Sequence, residues 1–374
     1  GRYIPMYEKE LVKIWKHIIN DGSIKLLLVA TREIHDQIEA MRDELPSLEK
    51  IYRIEGEGED SMAGLEERGA ARPVASMRPE PEDIAVLIYT SGTTGDPKGV
   101  LLSHGNCTSN VLAGHKIFPE LDANDRGLSI LPWAHSFGQT GELYLFSHIG
   151  GSIGIMGDVT TLADDMAKVQ PTFLIAVPRV FNKIYAGLWA KMNETGGLAQ
   201  KLFVMGIASA KERRVLAARG QSDFITNLKF KIADAVVFNK IRAKLGGRLK
   251  GALSGSATMN VEIGHFFSDL GIPVYDCYGL TETTPAATMN GPRAHKPGTV
   301  GRPIEHVRVE IDKTFSGDVE DGEIIIYGPN VMQGYHNKPE ATKEVMTADG
   351  GFRTGDRGRL DSDGFLFITG RIKE

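Results

Sequence analysis

Tyr89-Thr90-Ser91-Gly92-Thr93-Thr94-Gly95-Asp96-Pro97-Lys98-Gly99 follows directly on the apolar run Ile84-Ala85-Val86-Leu87-Ile88. These eleven residues hold four hydroxyl side chains besides the tyrosine, three glycines and one lysine. Glycine lets a backbone turn tightly and bring its N–H groups towards an anion. Serine and threonine add neutral donors, and Lys98 adds a mobile positive charge suited to pyrophosphate. A plain polar turn rarely combines so many phosphate donors in order. The stretch is not the common mononucleotide P-loop, which needs Gly and Lys adjacent with Ser/Thr following. Here Pro97 precedes Lys98 and Gly99 follows it. The expectation is a buried strand, Ile84 to Tyr89, feeding a phosphate-binding loop, with a helix from about Ser103.

Upstream, Leu11, Ile14, Trp15, Ile18 and Ile19 recur at helical spacing, and Lys25 to Ala30 is a short apolar run. A second amphipathic segment spans Glu33 to Glu44, followed by the strand-like Lys50 to Ile54. Strand and helix in turn, with continuous apolar strands, predict a mostly parallel buried sheet. Gly56 to Pro81 is acidic and weakly periodic and reads as a loop or linker. Downstream, Val169 to Val177 and Arg248 to Ser254 read as strands. Lys191 to Leu245 reads as mainly helical, with Val236, Val237, Ile241 and Leu245 on one face. After Pro297 short strands and frequent turns take over: Val307 to Ile311, Glu323 to Tyr327, Phe365 to Thr369. That pattern predicts a small β-rich subdomain.

The 374 residues exceed what one core holds, since single cores stop growing near ~250–300 residues. Apolar residues make up 41% and charged residues 24%, ordinary for a globular chain. A net charge of −5 gives no footing for nucleic acid. The two cysteines, Cys107 and Cys277, argue against a disulfide scaffold and fit a reducing, cytoplasmic setting. No apolar run approaches the ~20 residues that span a bilayer. The charge is uneven: residues 191–250 hold 13 Lys/Arg against 4 Asp/Glu, an excess of +9 that leaves −14 for the remainder. That stretch has two readings, a solvated helix face, which is favoured, and a surface meeting an anionic membrane or CoA phosphates.

Four motifs occur together. Besides the phosphate loop there are Tyr278-Gly279-Leu280-Thr281-Glu282-Thr283, Thr354-Gly355-Asp356 and Gly370-Arg371-Ile372-Lys373-Glu374. In this order and rough spacing the chain resembles the adenylate-forming superfamily, which includes acyl-CoA synthetases, luciferases and peptide-synthetase adenylation domains. Tyr3-Ile4-Pro5-Met6-Tyr7, Leu131-Pro132-Trp133-Ala134-His135-Ser136-Phe137-Gly138 and Leu253-Ser254-Gly255-Ser256-Ala257 are most similar to its long-chain fatty acyl-CoA synthetase branch. The resemblance implies an α/β fold of two mixed, mostly parallel sheets flanked by helices, with a small distorted β-barrel. It implies a core over 1–296, incomplete at its start, a β-rich subdomain over 297–369, and a hinge at 370–374 leading to a small C-terminal domain not contained in the chain.

The resemblance also implies the chemistry: ATP-dependent conversion of a carboxylic acid to an acyl-adenylate and then, with coenzyme A, to acyl-CoA. The first step sets one anion against another, so it needs charge neutralisation and alignment more than covalent help. Thr90, Ser91, Gly92, Thr93, Thr94, Gly95 and Lys98 would hold the phosphates. Glu282 would be the Mg²⁺ carboxylate, since magnesium is often held by one or two carboxylates plus phosphate oxygens. Thr281 would donate to the α-phosphate. Tyr278 and Gly279, with the backbone of Gly255, Ser256 and Ala257, would line the adenine slot. Asp356 would accept from the ribose hydroxyls and Arg371 would reach the same sugar. His135 would border the acyl carboxylate as a neutral imidazole, with Trp133 and Phe137 at the acyl pocket. Lys373 would sit at the hinge. For several residues a plain structural role competes: Tyr278 and Trp133 as packed aromatics, Asp356 as a turn residue, His135 as a satisfied core histidine.

The sequence departs from the family pattern where Gly351, in place of tryptophan, precedes Phe352. The family's small domain carries a lysine that bridges carboxylate and α-phosphate, so this chain alone is expected to be impaired or inactive. The rivals to a fatty-acid ligase are an enzyme adenylating an aryl or other acid and a non-catalytic nucleotide-binding remnant.

Overall fold

A computed structural model describes residues 1–90, 95–315 and 320–372. The chain divides into two compact units, Gly1–Thr108 with Met332–Thr347, and Ser109–Val331 with Ala348–Glu374.

In the first unit the strands Leu26–Val29 and Lys50–Arg53 pair in parallel, as the alternation predicts. Trp15, Ile18 and Ile19 of the helix Val12–Asp21 pack with Leu27, Val29, Ile38, Leu45 and Ile51 to form its core. The sheet is buried on one face only: Leu26 and Leu28 alternate outward. The loop expected over Gly56 to Pro81 contains a helix, Met62–Ala71, whose N-terminal Ser61 hydroxyl accepts from the Gly64 N–H. No residue of that helix is buried, so it carries no apolar period to read. A second correction concerns the residues between the phosphate loop and the helix His104–Ile117. Lys98–Ser103 is a strand, antiparallel to Ile84–Thr90 with Leu87 opposite Leu101, and it buries Val100 and Leu102. The short strand Gly334–Tyr335 pairs on its other side.

The second unit is built on a five-stranded sheet in the order Arg302–Pro303, Ala286–Met289, Val274–Gly279, Gly251–Ser254, Phe173–Ala176. The last three strands are parallel and the first two add antiparallel, so the sheet is mixed. Val169 closes the helix Leu162–Val169 and does not open the next strand as expected. Phe181, Phe203, Phe238, Phe266 and Phe267 meet edge to face in the helical layer against the sheet. Each such burial is worth about 1.5–3 kcal/mol. Val237, Ile241 and Leu245 share the buried face, but Val236 does not; it is exposed. The π-helical turn Asp234–Phe238 sets these registers, and adjacent helical residues point about 100° apart.

The β-rich region is a four-stranded antiparallel sheet, in the order Arg308–Asp312, Gly322–Tyr327, Phe352–Leu360, Leu366–Arg371. Among the described residues it stays open where a small barrel was expected. Gly351 has a local cause. A Cβ there would lie 2.5 Å from the Tyr327 ring, so that aromatic fills the space a larger residue would need.

Candidate active site

In an open α/β sheet, ligands bind beyond the carboxyl ends of the parallel strands. Two of the motifs stand there. Gly251–Ser254 runs into Gly255, Ser256 and Ala257, with Gly255 buried, Ser256 and Ala257 exposed, and Ser256 at φ +68°. The neighbouring strand Val274–Gly279 runs into the 3-10 turn Thr281–Thr283, where Thr281 is buried and Glu282 partly exposed.

Gly279 is obligatory, because a Cβ there would fall 1.7 Å from the Pro285 carbonyl oxygen. The turn is pinned from several sides. The Thr283 hydroxyl accepts from the Leu280 N–H at 2.9 Å. The Asn110 and Asn330 amides, both buried, each donate to the carbonyls of Thr283 and Ala286. Neither asparagine was foreseen, since lone asparagines in a helix and after a turn carry no spacing signal.

The ribose-motif residues meet the tyrosine of the strand. The Tyr278 hydroxyl donates to Asp356 Oδ2 at 2.7 Å, and Arg371 Nε lies 3.2 Å from Asp356 Oδ1. Asp356 and Arg371 are register partners on adjacent strands, which fixes the pair. Asp356 is buried and Arg371 exposed. Burial and the carboxylate together hold the Tyr278 phenol far above its ordinary range. Tyr278 is thus tied to the aspartate by its hydroxyl, not merely packed.

Asp276, two residues before Tyr278 and therefore on the same face of the strand, was not anticipated. Its Oδ1 is sealed from solvent and has no hydrogen-bond partner among the described residues. Burial pushes its carboxyl up to about 6, against a partial lowering by Ser254, its register partner.

The loop Leu131–Phe137 approaches the same motif. Ser136 Oγ and Thr281 Oγ1 lie 3.3 Å apart, both buried. His135 Nδ1 accepts from the Phe137 N–H at 3.2 Å, which leaves the proton on Nε2, and burial lowers its pKa, favouring the neutral imidazole. Phe137 is buried and lines a narrow, mainly apolar cavity of about 40 Å³ with Gly114, Phe118, Thr140, Phe173 and Met289. The whole loop hangs on one unforeseen acid. Glu142, in the π-helical segment Gly138–Tyr144, accepts from the Ser129 hydroxyl at 2.6 Å and the Ile130 and Leu131 N–H groups at 2.9 and 3.1 Å. It also accepts from Trp133 Nε1 at 3.3 Å. Trp133 is therefore held by its indole. Burial raises the Glu142 carboxyl, and the four donors pull back part of that rise.

In the first unit Thr90 and Lys98 are opposite one another at the mouth of the hairpin. Lys98 Nζ stands 5.0 Å from the centroid of the Tyr335 ring, a cation–π distance. With Gly95, Asn337 and Lys338 it lines an open depression of about 440 Å³. Ser91, Gly92, Thr93, Thr94 and Lys373 lie outside the described residues. Among those described, no three His, Cys, Asp or Glu side chains converge on a metal position.

A mixed α/β sheet with a pinned Thr-Glu turn beyond one of its parallel strands, and with Tyr278 of that strand bonded to Asp356, is the layout of an α/β enzyme that binds a ligand at its strand ends. The chain belongs to the AMP-binding enzyme family, which it matches over residues 2–336. It is similar to the long-chain-fatty-acid–CoA ligase FadD15 of Mycobacterium tuberculosis, 32% identical over 377 residues, 99% of this chain and 61% of that protein. It is likewise similar to fatty acyl-CoA synthetase A of Dictyostelium discoideum, 34% identical over 380 residues, 96% of this chain and 55% of that protein. The chain thus spans little more than half the length of these curated relatives. Among solved structures, ATP-bound MatB from Rhodopseudomonas palustris matches with a TM-score of 0.73 at 25% identity, covering 99% of this chain and 64% of that one. A long-chain-fatty-acid-CoA ligase (FadD1) from Archaeoglobus fulgidus has the same fold, with a TM-score of 0.74 at 23% identity over 98% of this chain and 67% of that one.

Proposed function

We propose that this chain binds ATP and a carboxylic acid, of the long-chain fatty class, and belongs to an enzyme that makes acyl-CoA through an acyl-adenylate. A carboxylate oxygen attacks the α-phosphorus and pyrophosphate leaves; the CoA thiol then attacks the acyl carbon and AMP leaves. The observation that carries the reading is the 3.3 Å approach of Ser136 to Thr281, which ties the loop lining the apolar cavity to the Thr-Glu turn. In this reading the carboxylate of the acid lies near Thr281 and its chain runs past Phe137, where the narrow cavity takes only part of the chain and has to widen for the rest.

In this reading Asp356 takes the ribose hydroxyls, with Tyr278 and Arg371 holding its orientation. The free oxygen of Asp276 accepts from the exocyclic amine of the base. Thr90 and Lys98 are assigned to the phosphate tail on the motif they belong to. Glu282 would hold Mg²⁺, which would offset the charge of the phosphates. One protein carboxylate fits an ion that is held mainly by phosphate oxygens and water. Neutral His135 orients the acid without adding a competing proton.

Pyrophosphate exchange into ATP, measured with a series of acids from acetate to stearate and with benzoate, tests the reading in the full-length parent. Exchange that rises with chain length and disappears in Glu282→Gln is expected. Exchange with benzoate alone would make the enzyme an aryl-acid ligase, and no exchange with any acid would make it a nucleotide-binding remnant. A wild-type rate in Glu282→Gln would remove Glu282 from the metal role.

A further inference from the structure

The segment Phe224–Lys244, in the second unit, is apolar on two opposite faces. Its inner face, with Ala233, Val237, Phe238 and Ile241, is buried in the helical layer. Its outer face carries Phe224, Ile225, Leu228, Ile232 and Val236, which are 79%, 59%, 46%, 44% and 44% exposed. Spacings of one, four, eight and twelve residues from Phe224 put these five side chains on one stripe about 18 Å long. A helix apolar all round is ordinarily buried. Single exposed apolar residues are common, but a contiguous stripe marks an interaction site.

The charges beside the stripe select the partner. Between Phe224 and Lys244 there are five Lys/Arg residues and one acid, Asp234. Arg242 already holds that acid at 2.6 Å. Lys229, Lys231 and Lys240 are exposed. At about 100° per residue in the α-helix Phe224–Ala233, Lys231 flanks the stripe on one side and Lys229 on the other. Two copies joined through this face would set like charges against each other. An anionic bilayer surface meets both features: it attracts lysines and takes up aromatic and aliphatic side chains at the headgroup boundary. Arg213 stacks over Phe230 at 4.1 Å and bonds Asn227 at 2.8 Å, which fixes the helix against its neighbour Gly197–Ala218. No helix among the described residues is long and apolar enough to cross a membrane, so contact would be in the plane of the surface.

We propose that the Phe224–Val236 stripe and its flanking lysines dock the protein on an anionic lipid bilayer. The test uses no nucleotide or acid, so its outcome is independent of the adenylation reading. The purified protein is sedimented with vesicles of phosphatidylcholine containing about 30% phosphatidylserine, and with pure phosphatidylcholine vesicles. Co-sedimentation with the anionic vesicles, lost when the salt is raised to about 0.5 M, is expected. Lys229→Glu with Lys231→Glu should weaken it about tenfold or more, because each lysine near such a surface contributes about fivefold. Phe224→Ser with Leu228→Ser should weaken it by a similar factor at an unchanged melting temperature. Should that pair lower the melting temperature, Phe224→Trp serves instead: its fluorescence should shift to the blue with anionic vesicles only. The proposal is overturned by no binding to anionic vesicles, by equal binding to both kinds, or by binding indifferent to these substitutions. A dimer that the serine pair dissolves, with no lipid binding, would give the stripe to a second copy and overturn it too.

Discussion

Glu142 and Asp276 are both withdrawn from water, and burial pushes both carboxyls up. Their surroundings are opposite. Glu142 accepts four hydrogen bonds from one loop, so its acceptor capacity is spent on architecture. Asp276 keeps an oxygen sealed from solvent and unmatched by any described residue. A buried polar atom without a partner costs about 1–3 kcal/mol. Glu142 is therefore scaffold, while Asp276 has an oxygen left for a further donor, which in the reading proposed above is the base of ATP.

Removing each acid should break the two in different ways. Glu142→Ala leaves four donors facing nothing, and should lower stability by about 3 kcal/mol or more. Adenylation should fall about a hundredfold, with KM for the acid rising and KM for ATP little changed, because the loop carries His135 and Phe137. Glu142→Gln, which still accepts but also brings a donor into the cluster, should lie between. A melting temperature within a degree of wild type in Glu142→Ala would refute the scaffold role.

Asp276→Ala should act with the other sign on stability, raising it by roughly 1–2 kcal/mol at neutral pH by relieving a desolvated charge. It should weaken ATP by about 1–3 kcal/mol, one lost hydrogen bond to a charged acceptor. The pH dependence sharpens this. A carboxyl that titrates near 6 when folded and near 3.8 when unfolded favours the folded state at low pH. Its contribution is full below 3.8 and is lost as pH rises through about 6. Melting curves of wild type should show that decline and Asp276→Asn should not. ATP titrations should show affinity falling as the acid is protonated. A pH-independent difference between the two proteins would assign the unmatched oxygen no such role.

The smallest effects belong to the cavity beside the loop. A Cβ at Gly114, which lines it from the helix His104–Ile117, would meet no atom within 4 Å. Gly114→Ala should therefore stabilise the helix by about 0.5–1 kcal/mol with activity retained. Gly114→Leu should fill the cavity and shift the preferred acid to shorter chains in the exchange assay. An unchanged preference would place the acyl group elsewhere.

The parts legible in the sequence are those that one segment decides by itself. The strand Ile84–Thr90, the Gly255 loop and the Tyr278–Thr283 motif stood at strand ends where the apolar runs break off. The Asp356–Arg371 pair followed from motif order, though its link to the Tyr278 hydroxyl did not. What escaped depends on distant partners. Lys98–Ser103 is a strand because Ile84–Thr90 and Gly334–Tyr335 lie on either side of it. Glu142 reads as a surface helix acid until the turn of chain over Ser129–Trp133 closes on it. Val236 and Val237 are neighbours about 100° apart on the helix, so only the packing partner decides which of them is buried.

The pairing of Gly334–Tyr335 with Val100–Leu101 joins residues about 230 positions apart. On the ribosome, at about 5–20 residues per second, the first of these edges waits roughly 10–50 s for the second. Throughout that interval one side of Lys98–Ser103 presents open backbone donors and acceptors beside an aliphatic row, a template for wrong pairing. The aromatic platform under Lys98 arrives in the same late delivery, so the hairpin cannot take its final form on a nascent chain that has not yet emerged past Tyr335.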